Sequence, residues 1–216
     1  MLLTNLFFCD DVNFIKKGWI NRNRIMLTGK SYGFSIPLKQ QSQNVLIKDT
    51  RVADLQKFSD KFLQQLSSSY KKSPYKDSVL DYVREVLTSR HVSISEIAAA
   101  SVELFFEYLG LEKLFHYSSK EFSETRGLEK AERLIKITKS LKSDDYINAI
   151  GGSSLYGKEF FASKGVKLSF VKPSLLPYEH CNVRGFNFTP GLSIIDIMMN
   201  LPEQDIRSQL DGFDLV

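Results

Sequence analysis

The run Leu2-Leu3-Thr4-Asn5-Leu6-Phe7-Phe8-Cys9, stopped by Asp10-Asp11, is the stretch on which the fold turns. It is short, apolar and ended by two carboxylates, the pattern of a buried strand with acidic groups at its C-terminal edge. Further short apolar runs downstream alternate with helical periodicity, which predicts an α/β class with a mostly parallel sheet. Arg24 to Leu27, the turn Thr28-Gly29-Lys30 and Tyr32 to Leu38 read as a β-hairpin near the N-terminus. Gly29 supplies the positive φ of a tight turn, and Pro37 suits an edge strand. Val45 to Lys48 predicts another short strand.

The middle of the chain is helical. Val52 to Tyr70 places Leu55, Phe58, Phe62, Leu63 and Leu66 on one face. Pro74 breaks the pattern, and Asp77 to Thr88 resumes it with Val79, Tyr82, Val83 and Val86. A third helix is expected from an N-cap at Ser93 or Ser95 to Leu109, with Gly110 after its end. These three form a lobe over roughly residues 52–110 within a single domain spanning 1–216. Beyond it the pattern predicts a strand at Lys113 to Tyr117, a helix at Leu128 to Leu141 and a strand at Asp145 to Ile150. A half-exposed strand at Val166 to Phe170 and helices at Leu192 to Met199 and Glu203 to Leu210 follow. No fixed-period repeat or low-complexity tract is present, which excludes solenoids and disordered arms.

Composition narrows the class. The 216 residues are 43% hydrophobic and 25% charged, those of a globular protein with a real core. A net charge of +4, from 29 basic and 25 acidic residues, is too mild to imply nucleic acid, so no such partner is expected. Basic residues gather at Lys16, Lys17, Arg22, Arg24 and Lys30, whereas Glu203, Asp205, Asp211 and Asp214 crowd the tail. That asymmetry suits an anionic ligand near the first segment, or simply a solvated face. Cys9 and Cys181 stand far apart and form no CxxC pair, so neither a zinc site nor a disulfide framework is expected, and no cofactor is called for. Met1 to Phe8 lacks the basic flank and length of a signal peptide and is too short to span a bilayer. A cytoplasmic location without membrane insertion is therefore expected.

Four polar clusters are candidates for chemistry. The first runs from Asp10 to Arg24 and holds Asp10, Asp11, Asn13, Lys16, Lys17, Trp19, Asn21, Arg22, Asn23 and Arg24. Carboxylates at a strand end followed by an Arg/Asn/Lys-rich loop suit a site at the carboxyl edge of a sheet. Arg and Lys hold phosphate, a carboxylate orients or deprotonates an amine, and Trp19, the only tryptophan, offers a face to a sugar or base. A charged surface loop with a core tryptophan accounts for the same residues. The second cluster is Ser118-Ser119 with Arg126-Gly127 and Arg133, suited to an anion at a helix start, though capping alone explains it. The third is Asn148, Gly151, Gly152 and Tyr156. Two glycines let backbone approach a ligand, but the spacing is neither GxGxxG nor a P-loop. The fourth, Tyr178-Glu-His180-Cys181 with Ser193-x-x-Asp196, offers no adjacent Cys-His dyad. Cys9 has His91, His116 or His180 as conceivable partners, and no sequence feature selects one.

The run Asp10 to Ile25 (Asp-Asp-Val-Asn-Phe-Ile-Lys-Lys-Gly-Trp-Ile-Asn-Arg-Asn-Arg-Ile) resembles the signature of WbqC-like proteins. So do Glu132-Arg133, Tyr146 to Gly152 with Leu155-Tyr156, and Leu192-Ser-Ile-Ile-Asp196, in collinear order. Members of that family usually open with a strand and loop of the kind Gln-Pro-x-Tyr-Phe-Pro-Trp-x-Gly-Tyr. With nine residues before Asp10, that piece is expected to be missing here, leaving a sheet edge unpaired.

The resemblance implies a role in O-antigen or other surface-polysaccharide biosynthesis, with transfer of glycine to the amino group of an amino sugar as one activity. On that account Asp10 or Asp11 takes the proton of the attacking amine, and Lys16, Arg22 and Arg24 hold the diphosphate of a nucleotide-linked sugar. Amides at Gly151-Gly152 stabilise the oxyanion, and Trp19 and Tyr156 pack on the sugar. The partners are then a nucleotide-linked amino sugar or glycan precursor and an acyl donor of unspecified form. Competing expectations are a non-catalytic binding or scaffold protein of the same pathway and a nucleotidyltransferase-like enzyme.

Overall fold

The computed structural model describes residues 4–88, 90–181 and 188–216, so Leu2 and Leu3 of the expected first strand lie outside the described residues. In chain order the elements are β1 (Asn5–Phe8), β2 (Arg22–Leu27), β3 (Lys30–Ser35), α1 (Leu55–Ser69), α2 (Lys76–Val86) and α3 (Ile94–Tyr108). Then come β4 (Leu114–Tyr117), α4 (Ser118–Glu121), α5 (Lys130–Ser140), β5 (Asp145–Ala149), α6 (Lys158–Ser163) and β6 (Lys167–Pro173). The chain closes with α7 (Ile194–Asn200), α8 (Glu203–Leu210) and β7 (Phe213–Leu215).

The class is mixed α/β, with the expected hairpin and three-helix lobe, but among the described residues the strands form three small sheets. β1 pairs with β4 in parallel, β2 with β3 antiparallel, and β6 lies between parallel β5 and antiparallel β7. A mostly parallel sheet therefore describes only the ladders β1–β4 and β5–β6. Two local expectations are corrected. Leu46 makes a single bridge to Asn13, and Ile47–Asp49 then closes into a 3-10 turn, so Val45 to Lys48 is no strand. β6 is not half exposed: Leu168, Ser169 and Phe170 are all buried, because the strand has a neighbour on each edge and α6 packs on it. The small Ser169 fits inside although its polarity reads as outside. Short α4, α6 and β7 carry too little pattern to be foreseen.

Local chemistry explains the strongest elements. Thr28 (φ +48°) and Gly29 (φ +77°) both take positive φ, the turn that joins two strands through two residues. Ser93 begins α3 with a reciprocal cap: its hydroxyl accepts from Glu96 N–H at 3.3 Å, and the Glu96 carboxylate accepts from Ser93 N–H at 2.9 Å.

Among the described residues two apolar clusters organise the interior. The larger joins the hairpin (Ile25, Met26), the lobe (Phe62, Leu66, Val83, Ile97) and the C-terminal helices (Met198, Met199, Ile206). The smaller gathers Leu134, Ile135, Phe161, Val166, Leu168 and Phe170 beneath β5 and β6. Asp196, with no exposed surface, fastens the larger one. The Tyr70 hydroxyl donates to its Oδ1 and accepts from Met26 N–H at 3.0 Å, and the Tyr178 hydroxyl donates to its Oδ2 at 2.7 Å. His180 Nδ1 lies 3.0 Å from the same Oδ2. Burial, and next the Asp196 charge, push both tyrosine hydroxyls well above their usual range, so they stay donors. Tyr70→Phe removes one donor from a buried carboxylate and strands the Met26 amide. It is expected to cost about 2 kcal/mol, read as a lowered urea midpoint with an unchanged m-value.

Candidate functional site

Parallel pairing of β1 with β4 sets Phe8 beside Tyr117, which delivers the following residues of both strands to one place. Asp10 and Asp11 thus meet Ser118 and Ser119 at the start of α4. Asp10 accepts from Ser119 N–H (2.9 Å, Oδ1) and from the Ser119 hydroxyl (2.6 Å, Oδ2). The single proton of the Ser118 hydroxyl is shared between Asp11 Oδ1 at 2.5 Å and Asp10 Oδ1 at 3.1 Å.

The two carboxylates have different surroundings. The Asp11 side chain has no exposed surface, and its Oδ1 accepts from Arg133 Nη2 at 2.7 Å. Arg133 is itself buried and donates through Nε to Thr125 Oγ1 at 3.1 Å. Arg126 Nε lies 3.5 Å from Asp11 Oδ2, with its side chain half exposed. Burial alone would raise the Asp11 pKa, but the Ser118 hydroxyl and the Arg133 guanidinium outweigh it and hold the carboxyl below its ordinary 3.8. Asp11 is therefore a fixed anion. Asp10 also lines a cavity of about 500 Å³ between the hairpin and the lobe. Ionised, a carboxylate offers about four lone-pair sites, and the serines leave one of Asp10's for a ligand.

That cavity is apolar inside, where Phe34, Phe58, Phe62, Val83 and Ile97 line it, and polar at Asp10, Trp19, Arg22 and Asn23. Trp19 is 64% exposed, which removes the core-tryptophan account. The Arg22 and Arg24 guanidinium carbons lie 5.8 and 5.6 Å from its ring centroid. Arg22 also donates to the Gly18 and Lys17 carbonyls and Arg24 to the Gly191 carbonyl, which pins both cations beside the ring.

The other expected residues are more dispersed. Asn13, Lys16 and Lys17 are exposed, Lys17 with a φ of +61° in the turn before Gly18. Asn21 is buried and donates to the Ile36 carbonyl at 2.9 Å, holding the hairpin to the next loop. Asn23 Oδ1 accepts from Arg24 N–H. Asn148, near the end of β5, and Gly151, Gly152 and Tyr156 beyond it do not line the cavity that holds Asp10. A Cβ on Gly152 would stand 3.1 Å from the Asn148 side chain, so a larger residue there would have to push that side chain aside. Tyr156 packs edge-on against Phe161, their ring centroids 6.1 Å apart. Thiol chemistry gains no support. Burial pushes Cys9 up to about 11, His116 is engaged by Glu121 and Asn5, and His180 sits at Asp196. Thr125, which orients Arg133, carries no sequence signal of its own. Among the described residues no group of three or more His, Cys, Asp or Glu is placed to hold a metal ion, and no helix is long and apolar enough to cross a membrane.

Asp11 and Arg133 are each other's compensation, so Arg133→Gln is expected to destabilise the fold by roughly 3–5 kcal/mol in urea titration. The pH dependence follows from the depressed Asp11 pKa. Its contribution is complete above 3.8 and is lost as pH falls through the lower folded value. Asp11→Asn should remove that acid-side loss while lowering stability at neutral pH.

Comparison with known proteins adds three findings. Residues 3–208 match the WbqC-like protein family. The uncharacterized protein Rv1507c of Mycobacterium tuberculosis is 19% identical over 199 residues, which cover 89% of this chain and 81% of that protein. No solved structure matches.

Proposed function

Since the chain belongs to the WbqC-like protein family, we propose that it is an aminoacyl transferase that places glycine on the amino group of an amino sugar in surface-polysaccharide biosynthesis. The observation that carries this reading is the place of Asp10 in the lining of a cavity bordered by an exposed tryptophan and pinned arginines. The sugar stacks on Trp19, and its phosphates meet the donors that Arg22 and Arg24 retain. The amine nitrogen attacks the carbonyl carbon of an activated glycyl donor, Asp10 takes the amine proton, and the donor's leaving group departs as the amide forms. Asp11, held ionised by Arg133, does not touch substrate. It positions Asp10 through the shared Ser118 hydroxyl.

Asp10→Asn is expected to slow transfer at least about 100-fold while binding of a dTDP- or UDP-linked amino sugar stays within about twofold, measured by single-turnover assay and calorimetry. An undiminished rate would remove the assignment of Asp10 as base. A scaffold protein of the same pathway would bind none of these sugars. A nucleotidyltransferase would require Mg²⁺ and a nucleoside triphosphate, so a thermal-shift series with and without Mg²⁺ separates the three.

A further inference from the structure

Backbone pairing fixes where the peptide groups of β1 and β5 point. Leu114 N–H donates to the Thr4 carbonyl at 3.1 Å. Thr4, Leu6 and Phe8 therefore turn their N–H and C=O groups toward β4, and by alternation Asn5, Phe7 and Cys9 turn theirs away. On the other side, Lys167 N–H donates to the Asp144 carbonyl at 2.7 Å. Asp144, Tyr146 and Asn148 then face β6, while Asp145, Ile147 and Ala149 face away from it. All six outward residues, Asn5, Phe7, Cys9, Asp145, Ile147 and Ala149, line one cleft of about 540 Å³.

No backbone hydrogen bond crosses this cleft among the described residues. The β5 edge is partly masked by its own side chains. Ser143 Oγ donates to the Asp145 carbonyl at 3.0 Å and accepts from its N–H at 3.2 Å, and Asn148 Oδ1 accepts from Ala149 N–H at 2.7 Å. The Phe7 and Tyr146 rings, on opposite walls, have centroids 6.0 Å apart. Phe7 and Cys9 on one wall and Tyr146 and Tyr156 on the other pack against the same apolar cluster.

We infer that this cleft is a strand-acceptor site. It takes one extended peptide segment from outside residues 4–216, which runs along both walls and joins two sheets into one, ordered β4, β1, inserted strand, β5, β6, β7. The outward N–H and C=O groups of Asn5, Phe7 and Cys9, together with those of Ile147 and the Ala149 carbonyl, are satisfied together by an extended backbone with the same repeat. The inserted segment is mainly apolar and uncharged: Phe7 and Tyr146 flank its path, and the charged side chains of the lining are Asp145 and Lys167, which are paired in register at the first residues of β5 and β6.

The test is to pan a library of linear heptapeptides on the full chain, with Ala149→Pro as the counter-selecting variant. Ala149 has a φ of −65° and follows an extended residue, so proline fits its backbone while its ring blocks the cleft edge. An unchanged melting temperature verifies that the variant folds. The expected result is a set of peptides that bind the parent roughly tenfold or more tightly than the variant. They should also slow hydrogen exchange of the Phe7, Cys9 and Ile147 amides about tenfold or more. Failure to enrich any peptide that discriminates the two proteins overturns the proposal. So does concentration-dependent protection of those amides in the chain alone, which would assign the cleft to a second copy.

Discussion

The contact between Asp11 and Arg133 ties together parts of the chain that share no sheet. Asp11 follows β1, Ser118 opens α4, Thr125 sits in the turn beyond it, and Arg133 lies on α5, so one buried carboxylate reports the correct placement of four segments. A salt bridge in this setting contributes less net stability than its Coulomb attraction suggests, because both charges have left water. Its value lies in the arrangement it enforces: a shift of α5 away from the end of β1 leaves the buried Arg133 without its carboxylate. The serine pair at the start of α4 is thereby held where Asp10 needs it.

Two adjacent acidic residues consequently divide the work. Both carboxylates accept from the Ser118 hydroxyl, but only Asp11 is paired with the buried Arg133 guanidinium. One enters the network beneath α5, and the other borders the cavity under the lobe. The surface beside that cavity has a similar economy. Arg22 and Arg24 are each fixed by backbone carbonyls and by the face of Trp19, so the cations are already ordered before any ligand arrives.

The features that could be read from sequence are those with a local cause. The hairpin follows from Thr28-Gly29, α3 from the Ser93–Glu96 spacing, and the lobe from apolar residues at helical intervals. Asp10-Asp11 and Ser118-Ser119 are each legible as following a strand, but their meeting depends on the pairing of β1 with β4, which no local pattern shows. What was hidden depends on tertiary partners. The polarity of Ser169 suggests exposure, yet a small hydroxyl fits a central strand. Arg133 looks like a phosphate ligand until the helix that bears it turns it inward. The split into separate sheets is a matter of long-range register, which no local pattern encodes. Asp196 looks like an ordinary helix-start residue, because its tyrosine partners are contributed from elsewhere in the chain.

Asp196 also imposes an order of assembly. Its partner Tyr70 lies 126 positions earlier, and the same separation divides Ser73 from the Met199 carbonyl it bonds. The hairpin and the three helices of the lobe leave the ribosome well before the residues that complete their core. Until α7 emerges, the apolar surfaces that Met198 and Met199 will cover stay exposed, and the Tyr70 hydroxyl lacks its buried acceptor. The N-terminal half of the molecule thus waits on the C-terminal end of its own synthesis, and that interval is when the nascent chain is most exposed to aggregation and most in need of a chaperone.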